Sequence, residues 1–314
     1  MDTFHNAEEG VEGPYSGMVL TAPISLARFG PIVVSAHTDI GGRTAQEDRL
    51  VMAPNLVSNG NHVAFFGIFD GTAGDFASDI IQKIIVRHLV TTDVWRSLML
   101  HLDNNVDDGT TIPGLAMLSL SQMYANADAE LLDLCHKFQN NYSSCTSGDS
   151  RVSMCYEEEG TLFAKFITTD HKPDVPHEES RILAAGGSVQ YIPTHENKPF
   201  LRGGDFLARK AKGDMPMQIQ YSRAFGGKDL KLYGLHNDPD ITVFRREESH
   251  KGFILASDGL WDTIECQQAF CNAFYALNRG DNPSRYLVHT TLAEDKRLAK
   301  RSDNITIIVI FFEE

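Results

Sequence analysis

The sequence predicts an α+β fold with antiparallel sheets in a single domain. Three observations carry this. Long helical patterns come in pairs, short apolar runs between them read as a strand meander, and the strand candidates near both ends carry the same acidic signature, so they belong to one sheet system.

Taken in order, residues 1–30 are mixed in character and read as an N-terminal arm, with the domain proper over 31–314. Residues 31–37 are short and β-branched, a first strand. Gly41-Gly42 then opens a densely charged stretch through Arg49, which by itself reads as a solvated hairpin before Leu50-Val51-Met52. Residues 63–69 are almost wholly apolar, as in a strand buried on both faces. Phe76, Ile80, Ile81, Ile84, Ile85 and Leu89 recur at helical spacing, so a helix starts near residue 73. A second long helical pattern covers 111–139. Strands follow at 142–146, 152–156 and 162–168, with Gly148-Asp149 and Gly160 at the turns. Residues 176–186 form a short helix capped by Gly186-Gly187. The stretch 192–240 is rich in Gly, Pro and Lys and reads as a flap-like excursion over a site. Helices at 263–278 and 283–299 and a strand at 305–312 complete the chain.

The chemistry lies at strand tips. The run 63–69 ends in Asp70-Gly71, and the run 252–257 ends in Asp258-Gly259. In mirror image, Asp303-Asn304 precede the last strand. If the last strand is antiparallel to the other two, all three carboxylates reach the same edge of one sheet. Asp-Gly is also a common turn. Three such acids on the three most apolar strands point instead to a hard divalent metal, because clustered carboxylates repel unless a cation holds them.

The formal net charge of −14 argues against non-specific binding to nucleic acid or to an anionic membrane. No apolar run approaches membrane-spanning length, and residues 1–9 lack the basic and apolar regions of a signal peptide. Five cysteines, an odd number without a Cys-x-x-Cys pair, predict reduced thiols and a cytoplasmic or nuclear location. Lys296-Arg297 and Lys300-Arg301 form a basic cluster that reads as a solvated helix face or an import signal. The cationic stretch Arg209-Lys210-Ala211-Lys212 lies in the excursion.

Eight short blocks occur in an order that resembles the metal-dependent serine/threonine protein phosphatases of the PP2C family. They are Gly42-Arg43 with Gln46-Glu47-Asp48-Arg49, Phe69-Asp70-Gly71, Ser147-Gly148-Asp149-Ser150-Arg151 and Thr169-Asp170-His171-Lys172-Pro173. Glu179-Ser180-Arg181-Ile182 with Ala185-Gly186-Gly187, Ser222-Arg223-Ala224-Phe225-Gly226, Ser257-Asp258-Gly259-Leu260-Trp261-Asp262 and Ser302-Asp303-Asn304 follow. The resemblance implies a four-layer αββα sandwich, two antiparallel β-sheets flanked by helix pairs, with a two-metal centre at one end. It implies that Asp70 bridges two Mg2+ or Mn2+ ions and that Asp258 and Asp303 complete one shell. Glu47 and the Gly71 carbonyl would hold the other ion, with Asp48 behind through water. Asp170 resembles the ligand of a weaker third metal shared with Asp258, and Arg43 the arginine that clamps the substrate phosphate. Phosphorylated proteins are the implied partners of a monomeric enzyme.

The chemistry requires these residue types. Mg2+ and Mn2+ prefer carboxylate, carbonyl and water oxygens. A pair of them activates water and stabilises an in-line phosphoryl displacement. The planar fork of arginine matches a phosphate. Two departures from the family pattern stand out. Thr72 follows Asp70-Gly71 where the family has a histidine that protonates the leaving alkoxide, and Gly227 replaces an aspartate after Gly226. His62 and His171 are the nearest histidines in sequence. The expected function is a phosphatase with a modified proton path. The competing reading is a pseudophosphatase acting as a binding module, and a two-metal nuclease is a third.

Overall fold

The computed structural model describes residues 18–56, 62–104, 109–146, 148–213 and 217–313. Residues 1–17 of the expected arm, and Ser147 of one sequence block, lie outside the described residues.

The chain opens with two hairpins. β1 (Ile24–Phe29) pairs with β2 (Ile32–Asp39), and β3 (Arg49–Ala53) pairs with β4 (Phe65–Thr72). Three helices follow: α1 (Phe76–Val90), α2 (Asp93–Asp103) and α3 (Thr111–Lys137). The three strands expected next are present as β5 (Ser144–Thr146), β6 (Arg151–Glu158) and β7 (Thr161–Phe166), but they are not one meander, because β5 lies in a different sheet from the β6–β7 hairpin. α4 (Pro176–Ala184) leads into β8 (Ser188–Ile192), β9 (Lys198–Arg202), α5 (Phe206–Lys212), β10 (Gln218–Ile219), β11 (Phe225–Gly226) and α6 (Lys228–Lys231). The C-terminal third carries β12 (His250–Ala256), α7 (Asp258–Trp261), α8 (Cys266–Asn278), α9 (Pro283–Arg297) and β13 (Ile305–Phe312).

Two antiparallel sheets face each other. One has the order β1-β2-β13-β12-β6-β7 and the other β11-β5-β4-β3. The long apolar run of β13 follows from its place at the middle of the larger sheet. Ile305, Ile307, Val309 and Phe311 pack toward the helical layer with Phe270 and Leu287, while Ile308 and Ile310 pack on Val34, Met52 and Ile68 between the sheets. Each of these side chains, fully buried, stabilises by about 1.5–3 kcal/mol. β4 obeys the same logic from the other sheet. Ile68 enters the inter-sheet layer, and Phe69 enters the layer formed by α1 and α3 with Ile81, Met123 and Leu131. The result is the four-layer αββα sandwich expected. The first half of β4 is only half-buried, because a cleft of about 600 Å3 opens between the sheets beside Phe65 and Phe66.

Three expectations are corrected. Residues 24–29 of the expected arm form β1, whose mostly exposed pattern on a sheet edge gave no core periodicity. A helix not foreseen, α2, starts where the Thr92 hydroxyl accepts from the Trp95 N–H. The excursion 192–240 is not weakly structured. β8, β9 and β10 form a third small sheet over a separate core of Ile182, Leu201, Ile219, Tyr221, Leu230 and Leu235.

Candidate metal centre

β12 and β13 run antiparallel with Ala256 opposite Ile307, so the end of one lies beside the start of the other. Asp258, just past β12, and Asp303, just before β13, thereby become neighbours. Asp70 arrives from the facing sheet, in the β4 segment paired with Thr146 of β5. The three acids line one cavity, but from two sheets rather than from one sheet edge. The single-edge geometry expected from sequence fails because β4 pairs with β3 and β5, not with β12 or β13.

The three acids line one cavity of about 590 Å3 together with Glu47, Gly71, Asp149 and Arg43. Close backbone approach explains the two Asp-Gly pairs. A Cβ on Gly71 would stand 2.3 Å from the Glu47 carbonyl oxygen, and one on Gly259 would stand 2.0 Å from that of Asn304. Any larger residue would push the loops apart. Asn304 fixes the loop that carries Arg43 and Glu47. Its amide donates to the carbonyls of Ile40 (3.0 Å) and Ala45 (2.9 Å), and its side-chain oxygen accepts from the Glu47 N–H at 2.9 Å. Ser78 adds a hydroxyl bond to the Glu47 carbonyl at 2.6 Å. The motif Asp303-Asn304 is visible in sequence, whereas this tethering role of Asn304 is not.

Asp48 sits behind the floor, 4% exposed, and accepts from the Ser257 hydroxyl at 2.8 Å. Arg43 donates to Asp303 at 2.5 Å, so the expected phosphate clamp lies at the mouth over an acid of the cavity. Asp170 is not brought to the cavity. Its carboxylate takes a bidentate pair of bonds from Arg151, both 2.7 Å. Asp149 lines the wall instead. One of its oxygens is 3.0 Å from Lys172 Nζ, and the other is buried with no hydrogen-bond partner. Sequence reasoning took Gly148-Asp149 for a turn, and its place in the block with Arg151 was the only signal.

The electrostatics are those of carboxylates short of counter-charge. Burial, then repulsion from Asp48 and Asp258, pushes Asp70 well above the usual range. Burial, then Asp149 and Asp303, does the same to Asp258. Asp48 is pushed up to about 7, mainly by burial, with hydrogen bonds from Ser257 and Thr306 opposing the rise. Among the described residues no three acidic, histidine or cysteine side chains already converge into a closed ligand cage. Like-charged neighbours hold one another off. The acids nevertheless fit a hard divalent cation, since they offer carboxylate oxygens to one cavity and one Asp149 oxygen is buried with no partner.

Thr72 lies on the cavity wall and shares the Tyr221 hydroxyl with Ser144, whose own hydroxyl is 2.9 Å from it. Burial pushes the Tyr221 phenol up, which makes it a weaker proton donor. His171 pairs with Asp240 at 2.9 Å beside the inter-sheet cleft, and neither it nor His62 is on the cavity wall. Gly227 packs against Leu235 and Ser144, off that wall.

A family model described as protein phosphatase 2C matches residues 33–305. The chain belongs to the protein phosphatase 2C family. Its match to the crystal structure of a serine-threonine phosphatase 2C from Toxoplasma gondii has a TM-score of 0.91 at 42% identity, covering 95% of this chain and 100% of that one. A probable protein phosphatase 2C of Arabidopsis thaliana is 27% identical over 99% of this chain, which spans 61% of that relative's length. Another from Oryza sativa subsp. japonica is 28% identical over 87% of this chain and 68% of its own. A sex-determining protein of C. elegans shares the fold alone, at a TM-score of 0.62 and 17% identity. The protein phosphatase 2C family depends in general on divalent metal.

Proposed function

We propose that this chain is a metal-dependent protein serine/threonine phosphatase acting on phosphorylated proteins, with Mg2+ or Mn2+ held by Asp70, Asp258, Asp303, Glu47 and the Gly71 carbonyl. The observation that supports it is the convergence of acids from both sheets on one cavity with a half-exposed arginine, Arg43, at its mouth. When bound, the ions supply an activated water and neutralise charge on the phosphoryl group. Everything else falls to the chain. Arg43 exchanges its bond to Asp303 for two parallel bonds to the phosphate. Asp149, through its orphaned oxygen, takes the place first assigned to Asp170. Asp48 orders the floor through Ser257.

Thr72 favours a second reading, a phosphoprotein-binding module with little turnover. The Thr72 hydroxyl is far too weak an acid to replace a histidine at neutral pH, and burial weakens Tyr221 as a proton donor. General-acid help is worth roughly 10²–10⁴-fold. An aryl phosphate, whose leaving group departs unaided, escapes that loss.

The deciding experiment compares p-nitrophenyl phosphate with a phosphoserine peptide in Mn2+, with an Asp70→Ala control. The phosphatase reading expects aryl phosphate turnover that falls about 10³-fold in Asp70→Ala. Equal rates in wild type and variant favour the binding module. A rate for the aryl ester far above that for the peptide assigns the deficit to Thr72.

A further inference from the structure

The basic cluster near the C-terminus divides in two. Lys296 and Arg297 end α9, where Arg297 is taken up by Glu294. Lys300 and Arg301 lie beyond the helix, in the segment that leads to Asp303, and line the same cavity as Asp70 and Asp258. Both are exposed. Lys300 Nζ donates to the Asp262 carbonyl (3.2 Å) and the Thr263 hydroxyl (3.1 Å), and Arg301 Nε donates to the Gly42 carbonyl (2.8 Å). All of these acceptors are neutral. Among the described residues, neither cation has a carboxylate within ion-pair distance.

Arg43, Arg49, Arg151, Arg209 and Arg223 all have carboxylate partners. Of the acids that line this cavity, Asp262 lies 3.6 Å from Lys198 Nζ and Asp303 pairs with Arg43. The Arg301 bond to Gly42 places its guanidinium beside the residue that precedes Arg43. Two uncompensated cations therefore stand next to the arginine expected to hold a phosphate. A guanidinium offers a planar fork of donors and an ammonium a compact charge, and both suit an oxyanion.

We propose that Lys300 and Arg301 form an anion subsite beside Arg43, selecting phosphosites that carry a second negative group, a carboxylate or another phosphoryl, next to the phosphorylated residue. The inference rests on the reading of this cavity as the place where a phosphorylated side chain docks. The subsite lies at the exposed rim, so its contribution is modest and fades with salt.

The test measures binding, so that it does not depend on turnover. Three fluorescent peptides carry a non-hydrolysable phosphonate analogue of phosphoserine, flanked by glutamine, by glutamate or by a second phosphonate. Their affinities are read by anisotropy with Mn2+ present. Wild type is expected to bind the acidic peptides about five-fold more tightly than the glutamine peptide at low salt, with the gap closing at high salt. Lys300→Gln keeps the Arg301–Gly42 bond and should reduce the preference about two-fold. Lys300→Gln/Arg301→Gln should abolish it. Equal affinities in wild type, or a preference that survives in a double variant with an unchanged melting temperature, overturn the proposal. Preference for only one acidic peptide supports it and identifies the anion. Phosphate release from ordinary phosphoserine peptides is followed separately. Selective binding without release sinks the phosphatase reading and keeps the subsite, whereas release without selectivity does the reverse.

Discussion

Glu178 is fully buried and Asp258 partly so, and their environments drive the two carboxylates in opposite directions. Burial works to raise Glu178, but bonds from Arg181, Arg223 and Ser222 hold it well below the usual range. Arg181 donates at 2.6 Å and Arg223 at 2.6 and 2.8 Å. Asp258 has burial and then Asp149 and Asp303 for company, and is pushed up. The first cluster has its cations built into the chain and is structural. The second leaves its charge unanswered by the chain, which marks a place for cations from outside. A buried acid is therefore diagnostic only together with its partners.

The strongest way to break this contrast is to delete Glu178. Glu178→Ala removes the buried carboxylate shared by Arg181 and Arg223, leaving Arg223 only its exposed partner Asp240, and should cost about 3 kcal/mol of stability, read by denaturant unfolding, with the response to Mn2+ retained. A variant as stable as wild type would mean that the cluster is not structural. The mirror experiment removes charge from the other side. Asp70→Asn should stabilise the metal-stripped protein by on the order of 1–2 kcal/mol while abolishing the rise in melting temperature on adding Mn2+. Destabilisation without metal would show that Asp70 is already compensated.

The smallest effect is in pH. Glu178 is depressed in the folded state, so its contribution is present above its unfolded value of about 4.3 and is lost as pH falls below that. Asp48 is raised to about 7, so in metal-stripped protein it lowers stability progressively as pH rises from about 4 toward 7. Melts across this range should show Glu178→Gln flattening the acid limb and Asp48→Asn flattening part of the fall toward neutrality. Unchanged limbs would refute these assignments.

Much of the site was legible because its acids interrupt apolar runs. Asp70, Asp258 and Asp303 stand at the tips of β4, β12 and β13, where a charge is expensive without a purpose. What did not show was which sheet each strand joins. The unbroken apolar run of β4 records that both of its faces are covered, by Ile68 on one and Phe69 on the other, but not by whom. Asp149 escaped because a Gly-Asp pair at a short loop has the composition of any turn. Asp170 misled because its motif surroundings match the family, while its partner Arg151 lies 19 residues away in the chain. β8 and β9 were hidden by their mostly half-exposed residues without period-two alternation and by the lysines and prolines around them.

The tie between Asp48 and Ser257 crosses the seam where the two sheets end. Ions gripped by Asp70 from one side and by Asp258 and Asp303 from the other would span that same seam. They would then act as a clasp as well as a reagent. Chelation would loosen this end of the sandwich first, and the protein's resistance to heat and proteolysis would track the cation supply around it.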